Sequence, residues 1–361
     1  MNQCSGFFGL HHHRLRLPGS RLLCRVAEHH ARELKRNAVA YINTDGNSRG
    51  FVRIGGSHSL ETLFNEITDQ VRDPVLDVSV KERHFARLKL SGNEQQKKDV
   101  ARRRLRISPL GSGSDYTPFL QHLGIASVNL GFYGEGSGGS YHTLYDTYEH
   151  YTTWRDPGLV YGVTLAQLAG RVTLRLANAP VLPFEFSGFT DNVELYVKEL
   201  EALAEKMREE TRLANELLHD GVYGLALDPS KQLGPPKARE PVPYFNFAPL
   251  KNSLAGLQRA VNEMKRVQLK NSATLNEKLF TSERLLTLQD GLPNRPWYKH
   301  HIYAPGFYTG YGVKTLPGVR EAIEQREYEK VADEVTQVVV VLDRLAQRIS
   351  EITALEPQPL N

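Results

Sequence analysis

The chain has 361 residues, 40% of them hydrophobic and 24% charged, and its formal net charge is +4. This length is sufficient for a sizeable core and predicts two domains, and the composition is typical of a soluble globular protein. Because no apolar run of about 18 residues occurs, the sequence predicts no membrane-spanning helix in this chain. The two cysteines, Cys4 and Cys24, specify no disulfide framework and leave the redox compartment open.

The first 26 residues differ in composition from the rest. They contain no Asp or Glu, but they carry several arginines and the tract His11-His12-His13. An Arg-rich, acid-poor start is typical of a transit peptide, and the lack of an apolar segment argues against a secretory signal. No partner ligand supports a metal site at the histidine tract. We interpret residues 1–26 as an atypical leader, from a wrong start or a shifted reading frame, and expect it to be disordered or outside the native fold.

From residue 27 to about residue 180, predicted helices alternate with predicted strands, which indicates an α/β domain. In chain order we predict a helix over 27–36, a strand over 38–43, a helix over 60–71, a helix over 115–123, a strand over 125–132 and a helix over 157–176. Residues 75–109 show little periodicity, and we interpret them as a long surface excursion. The strand over 38–43 precedes Asp45, which places this carboxylate at the sheet edge where ligands bind in open α/β proteins.

Beyond the proposed boundary at 180–183, almost all of the periodicity is helical. The sequence predicts helices over 191–218 and 250–267, and one or two more over 316–355. The run from Val338 to Leu342 is apolar on every side, which indicates burial against several neighbours. We therefore predict an all-α domain over 184–361 that packs on a neighbour or on itself in a homodimer.

The positive charge is scattered except at 97–98 and 102–104. This basic run raises the alternative of nucleic-acid binding. No aromatic residues interleave with the run, so base stacking has no platform there. We favour a solvated loop and expect no nucleic-acid partner.

One histidine stands out because of its surroundings. His142 lies between Tyr141 and Tyr145, just after the Gly/Ser-rich loop at 134–140. Asp45 and His142, if they meet at one sheet edge, are a pair that suits a metal ion. Each also has a simpler interpretation, because Asp-Gly after a strand is a common turn signal and His142 could be an ordinary loop histidine.

Four segments in order resemble the glutamate carboxypeptidase II and transferrin receptor family. They are 40–45 (AYINTD), 110–115 (LGSGSD), 141–149 (YHTLYDTYE) and 292–298 (LPNRPWY) followed by 301–305 (HIYAP). Their order and spacing agree with the family over roughly 27–355. The resemblance implies the C-terminal half of a mixed-sheet zinc-peptidase domain over 27–180, a helical dimerisation domain over 184–361, peptide substrates and two zinc ions.

By the same resemblance, Asp45 and His142 correspond to zinc ligands. Tyr141 corresponds to a tyrosine whose hydroxyl polarises the scissile carbonyl, a suitable role for a hydrogen-bond donor. The family's other ligands, namely a His, a bridging Asp and a Glu-Glu pair, lie upstream, whereas this chain has no acidic residue before Glu28. The resemblance therefore implies about half of a metal site, and we expect an N-terminally truncated chain that is inactive by itself.

The substrate-facing residues are also carried over by motif. Gly113 and Ser114 correspond to the substrate-facing turn, and Tyr311 to a tyrosine near the pocket for the C-terminal residue. Where glutamate-specific members have arginines, this chain has Asn129 and Gly131, and a glycine precedes Tyr311 in place of a lysine. With fewer cations to pair with an acidic substrate, a full-length form is expected to be a broader carboxypeptidase or aminopeptidase.

Two functions remain open from the sequence. The first is a zinc metallopeptidase chain that lacks a complete active site. The second is a non-enzymatic dimerising or binding protein, as in the transferrin receptor branch, although Asp45, Tyr141 and His142 would then have no chemical purpose. The resemblance implies work outside the cytoplasm, in a secreted, periplasmic or membrane-anchored protein, and the sequence leaves the compartment open.

Overall fold

The structure is a computed structural model, and it describes residues 18–135, 139–228, 230–231, 234–355 and 358–359. It is a mixture of helices and short sheets, which confirms the predicted α/β class. The strands are β1 Tyr41–Asn43, β2 Gly50–Gly56, β3 Ser127–Gly134, β4 Val267–Gln268, β5 Tyr303–Pro305, β6 Val313–Thr315 and β7 Gln358–Pro359. The α-helices are α1 Pro18–His29, α2 Ala31–Asn37, α3 Glu61–Gln70, α4 Val80–Ser91, α5 Glu94–Ala101, α6 Tyr148–His150, α7 Val160–Asn178, α8 Ser187–His219, α9 Val222–Ala226, α10 Ala248–Met264, α11 Ala273–Phe280, α12 Pro317–Glu324 and α13 Val331–Thr353.

The central sheet has the strand order β1-β3-β2. β1 runs parallel to β3 with Tyr41 opposite Ser127, and β2 runs antiparallel to β3 with Gly50 opposite Gly134. Alternate residues of a strand face opposite sides. Val128, Leu130 and Phe132 are therefore buried in the core, and the intervening residues of β3 face the other way. The sequence prediction missed β2, since glycines at both of its ends weaken a strand pattern.

Residues 75–109 are not the surface excursion that the sequence predicted. They form α4 and α5, and each helix begins with a capping box, Ser79 with Glu82 and Asn93 with Gln96. Phe85 from α4 is buried in the main core. The hydrophobic period was hidden because many positions carry charge. The capping boxes indicate the starts of the two helices more clearly than the periodicity does.

The basic run at 102–104 is only partly solvated. Arg104 donates to Glu61 and Asp191, and Arg106 just beyond it pairs with Asp99. Glu61 and Asp99 are 3% exposed. The solvated-loop interpretation was therefore wrong for Arg104, whose side chain ties α3 to the start of α8.

The predicted leader also differs from the structure where the two overlap. Residues 18–26 form most of α1, which ends at His29. The Cys24 side chain is buried in a cluster with Trp297 and Tyr298. The backbone of 18–26 is helical and Cys24 lies in a small buried cluster, while the interpretation of the segment as a leader stays a prediction. Residues 1–17, which include the His11-His12-His13 tract, lie outside the described residues.

The second half of the chain is mainly helical, and its largest contact joins α10 to α13. Val338, Val341 and Leu342 are buried, whereas Val339 and Val340 are half-buried, so the predicted burial of the run from Val338 to Leu342 is met only in part. Two short sheets, β4-β7 and β5-β6, were not predicted, so this half is not purely α-helical. One hydrophobic core includes residues from both halves, and the domain boundary at 180–183 stays a prediction. No helix in the described ranges is long and apolar enough to cross a membrane.

Candidate functional site

Four chain segments converge at the carboxyl end of β1. They are the turn after β1 with Asp45, the Gly-Ser turn at 111–115, the loop at 139–147, and the loop at 306–312 between β5 and β6. The parallel pairing of β1 with β3 fixes the first of these segments. The site therefore draws on both the α/β half and the helical half of the chain.

Asp45 is held by a short network of side chains. The Ser114 hydroxyl donates to Asp45 Oδ2. Asn43 Nδ2 lies 3.0 Å from Ser114 Oγ and 3.0 Å from Asn129 Oδ1. Asn43 is 5% exposed, so its amide is a fixed donor between two strands. The network orients Ser114 toward the carboxylate, and the sequence analysis did not identify Asn43 as part of the site.

The Gly-Ser turn packs directly on the loop that carries Tyr311. The Ser112 backbone N–H donates to the Tyr311 carbonyl over 3.2 Å. Gly113 has φ +101°, and a Cβ at this position would lie 2.6 Å from Tyr311 Cδ1. Only glycine fits both the backbone angle and the space. Gly113, Ser114 and Tyr311, which the sequence predicted to face one substrate, are thus close together.

Tyr141 has an exposed side chain at the mouth of this site, and its ring stacks on His142 with a centroid distance of 3.8 Å. Partial desolvation raises the pKa of the Tyr141 hydroxyl, and Tyr311 and Asp45 raise this pKa further. The Tyr141 hydroxyl therefore lies within electrostatic range of both residues. A raised pKa keeps the phenol protonated at neutral pH, so Tyr141 is a hydrogen-bond donor there.

The zinc ligands predicted from the sequence do not form a complete metal site. His142 is exposed in the loop, with φ 59°, and Asp45 is bonded to Ser114. Across the described parts of the chain, no group of three or more His, Cys, Asp or Glu side chains could hold a metal ion. Two donors of the zinc type are present, which is fewer than the three or four that zinc sites require.

A second tyrosine borders the site and was not predicted. Tyr133 lies over Gly46, where any added Cβ would collide with its hydroxyl. Burial raises the pKa of Tyr133, and Asp45 acts in the same direction. Because period-two alternation from Asn129 already points to this face of β3, Tyr133 could have been placed there from the sequence.

Tyr151 anchors the loop that carries Tyr141. Its hydroxyl lies 3.3 Å from Asn47 Nδ2 and 3.4 Å from Asp156 Oδ2. The buried Asp156 carboxylate in turn accepts from the Gly162 backbone N–H over 2.7 Å at the start of α7. The loop is therefore tied to both the β1 turn and a long core helix.

Comparisons with known proteins show which families this chain resembles. Residues 245–350 match the family model described as the transferrin receptor-like dimerisation domain. A probable glutamate carboxypeptidase of Zea mays is 31% identical over 300 residues, which are 82% of this chain and 37% of the relative. An aminopeptidase of Rattus norvegicus is 24% identical over 263 residues, covering 69% of this chain and 32% of the relative.

A further relative, named as an inactive zinc metalloprotease of Schizosaccharomyces pombe, is 25% identical over 251 residues. These cover 65% of this chain and 28% of the relative. The chain thus spans roughly a third of the length of the curated relatives that it matches. Because of its motif order, its convergent turns, the dimerisation-domain match and the similarity to these relatives, this chain belongs to the glutamate carboxypeptidase and transferrin receptor family.

Proposed function

We propose that this chain carries the substrate-facing part of a peptidase site, in which Tyr141, Ser114 and Tyr311 bind a peptide next to Asp45. The observation that carries the proposal is the packing at this opening, where Ser114 donates to Asp45, the Gly113 turn lies against the Tyr311 ring, and Tyr141 is exposed. It brings three motif residues from distant parts of the sequence to one opening. The relatives named as carboxypeptidase and aminopeptidase support the reaction class.

Tyr141 is the proposed catalytic residue of this chain. Its protonated hydroxyl is exposed and can donate to a peptide carbonyl oxygen. Such a donor stabilises the negative charge that develops on this oxygen during hydrolysis, and loss of one donor typically costs about 100- to 1,000-fold in rate. Neither Ser114 nor Tyr311 needs to change its protonation state, since both act by positioning the peptide.

Asp45 and His142 are proposed as two of the ligands in a metallopeptidase site. A metal ion in such a site polarises the scissile carbonyl and lowers the pKa of bound water. Asp45 would supply a carboxylate oxygen held in place by Ser114, and His142 an imidazole nitrogen. The ligand set within the described residues is incomplete, so we assign no step of the reaction to the metal.

The match to a dimerisation-domain model over 245–350 supports a homodimer as the working assembly. We also propose that the boundary between the α/β half and the helical half lies at 180–183. Both points can be checked on purified chain, the first by sedimentation equilibrium and the second by limited proteolysis.

The test of the peptidase proposal is turnover of blocked dipeptides by purified chain with added zinc, followed by mass spectrometry of the released amino acid. Because the ligand set within the described residues is incomplete, only slow wild-type turnover above the zinc-only background is expected. Tyr141→Phe should abolish this excess, since loss of one such donor costs about 100-fold or more in rate. The control is Tyr223→Phe in α9, which lies outside the site. Equal rates for the wild type and Tyr141→Phe would exclude the proposed role of the hydroxyl.

A second candidate function is peptide binding without hydrolysis. It is favoured by the absence of a group of three metal-ligand side chains among the described residues. One of the similar proteins is itself named as an inactive zinc metalloprotease. The same samples separate the two functions, because a pure binding protein would bind the dipeptides and leave them intact at every zinc concentration.

A further inference from the structure

A large cleft of about 1160 Å³ opens beside the central sheet. Its walls come from β2, β3, α4, α8 and β6. Arg53, Asn129 and Tyr133 line it from the sheet, and His84 and Arg87 line it from α4. Asn129 and Tyr133 also border the candidate peptide site. The other three side chains belong to none of the sequence motifs, so the sequence analysis gave them no role.

Each of two neighbouring aromatic rings contacts the guanidinium of one arginine. Phe51 of β2 is paired directly with Tyr133 of β3 across the sheet. The Arg87 guanidinium lies over the Phe51 ring at 4.7 Å, and the Arg53 guanidinium lies over the Tyr133 ring at 5.7 Å. Since cross-strand neighbours on one face have Cβ atoms only about 5 Å apart, both guanidiniums lie near this pair of rings, and both act electrostatically on His84.

Within the part of the chain that the structure describes, Arg53 and Arg87 make no ion pair and no side-chain hydrogen bond, unlike nearby Arg83, which pairs with Asp73 and Glu135. Asp45 contributes to the raised pKa of Tyr133, but it lies within ion-pair distance of neither arginine. Two neighbouring positive charges without a partner repel each other, and an anion between them would relieve that repulsion.

His84 adds an unused polar group to the same wall. Its Nδ1 atom is buried and has no hydrogen-bond partner among the described residues. Burial, Arg87 and Arg53 together lower the pKa of His84 to about 4. The ring is therefore neutral at neutral pH, and its other nitrogen can form a hydrogen bond with a ligand in the cleft.

We propose that Arg53, Arg87 and His84 form a binding site for a small dianion, a phosphate group or a pair of carboxylates. Two guanidiniums match a charge of −2, and their planar N–H groups suit bidentate contact with phosphate or carboxylate oxygens. His84 supplies a further hydrogen bond from α4. The site uses none of the residues proposed for peptide hydrolysis, so the two proposals stand or fall separately.

The test is isothermal titration calorimetry of the full chain with inorganic phosphate and, in a second series, with succinate, at low ionic strength and pH 7.5. One saturable site per chain is expected for at least one of the two anions, and the tighter one identifies the preferred group. Arg53→Gln and Arg87→Gln are each expected to weaken binding roughly tenfold, since each removes a charge-assisted contact.

Lys89→Gln is the matched control, because Lys89 is an exposed cation of the same helix that does not line the cleft. It should leave the affinity unchanged, and circular dichroism should show that all three variants are folded. Absence of saturable binding to the wild type would overturn the proposal. It would also fail if Lys89→Gln weakened binding as much as the two arginine variants, since binding would then reflect diffuse surface charge.

Discussion

For Tyr141, part of its position could be predicted from the sequence and part is visible only in the fold. Its place before His142 in a family motif was visible in the sequence. Its nearness to Asp45 and Tyr311 was not visible, because Tyr311 lies far along the chain. Asn43 was missed for a similar reason. An asparagine at the end of a strand does not indicate a site by itself, and its partners Ser114 and Asn129 are known only from the structure.

Gly113 provides a stability prediction at the residue scale. Gly113→Ala should lower the free energy of unfolding by about 1–3 kcal/mol, because it forces a side chain into a positive-φ conformation and against the Tyr311 ring. Urea denaturation of the purified variants measures the effect.

Gly170→Ala in α7 is the control, because a Cβ there meets no atom within 4 Å and alanine favours a helix. That variant should be neutral or more stable by up to about 1 kcal/mol. If Gly113→Ala were as stable as Gly170→Ala, the close packing of the turn on the Tyr311 loop would be wrong.

At the scale of elements, α4 and α5 show where periodicity fails and local chemistry succeeds. Their many charged residues hide the apolar stripe, yet both capping boxes can be found in the sequence alone. The longer helices α8, α10 and α13 were predicted because they combine length with a clear stripe. The edge strand β2 was missed because its glycines dilute the pattern.

The ion pairs of the 102–106 segment give a prediction for how these elements are joined. Arg104→Ala should reduce the free energy of unfolding by about 3 kcal/mol, because it leaves the buried Glu61 carboxylate without its cation. Arg102→Ala, which removes an exposed neighbour in the same run, should change stability by less than about 0.5 kcal/mol. Similar losses in both variants, measured by urea denaturation, would refute a specific link from α3 to α8.

Across the whole molecule, buried histidines lie both between the two halves and within the helical half. His58, fully buried after β2, bonds to the Tyr196 hydroxyl of α8 over 2.7 Å and so joins the α/β half to the helical half. His300 lies 3.2 Å from Glu283, which also accepts from Tyr303 over 2.6 Å. His301 is buried next to His300, and its Nε2 atom has no partner among the described residues. None of these contacts was predicted, because the sequence pattern does not identify the partner of a buried histidine.

These histidines predict how stability depends on pH. Burial lowers the pKa of His58 to about 3 and that of His301 to about 4, both from 6.5. Below pH 6.5 the unfolded chain therefore binds protons that the folded chain does not. Their contribution to stability is complete above pH 6.5 and is lost as the pH falls toward 4, by about 1.4 kcal/mol per pH unit for each histidine.

Urea denaturation at several pH values between 7 and 5 measures this slope. His58→Gln should reduce the slope below pH 6.5 by about one proton, whereas His219→Gln, at the exposed end of α8, serves as the control and should leave most of it intact. An unchanged slope in His58→Gln would mean that His58 is protonated in the folded chain.

The measurement that tests the account most directly is the affinity of a blocked dipeptide for the purified chain, by isothermal titration calorimetry with a chelator present. The account predicts saturable binding that Tyr311→Ala weakens roughly five- to tenfold, since packing and polar contacts of this kind contribute about 1–1.4 kcal/mol. Tyr244→Ala, an exposed tyrosine elsewhere, should bind as the wild type does. Equal affinity in Tyr311→Ala and Tyr244→Ala, or no binding by the wild type, would contradict a peptide site at the convergence of these loops.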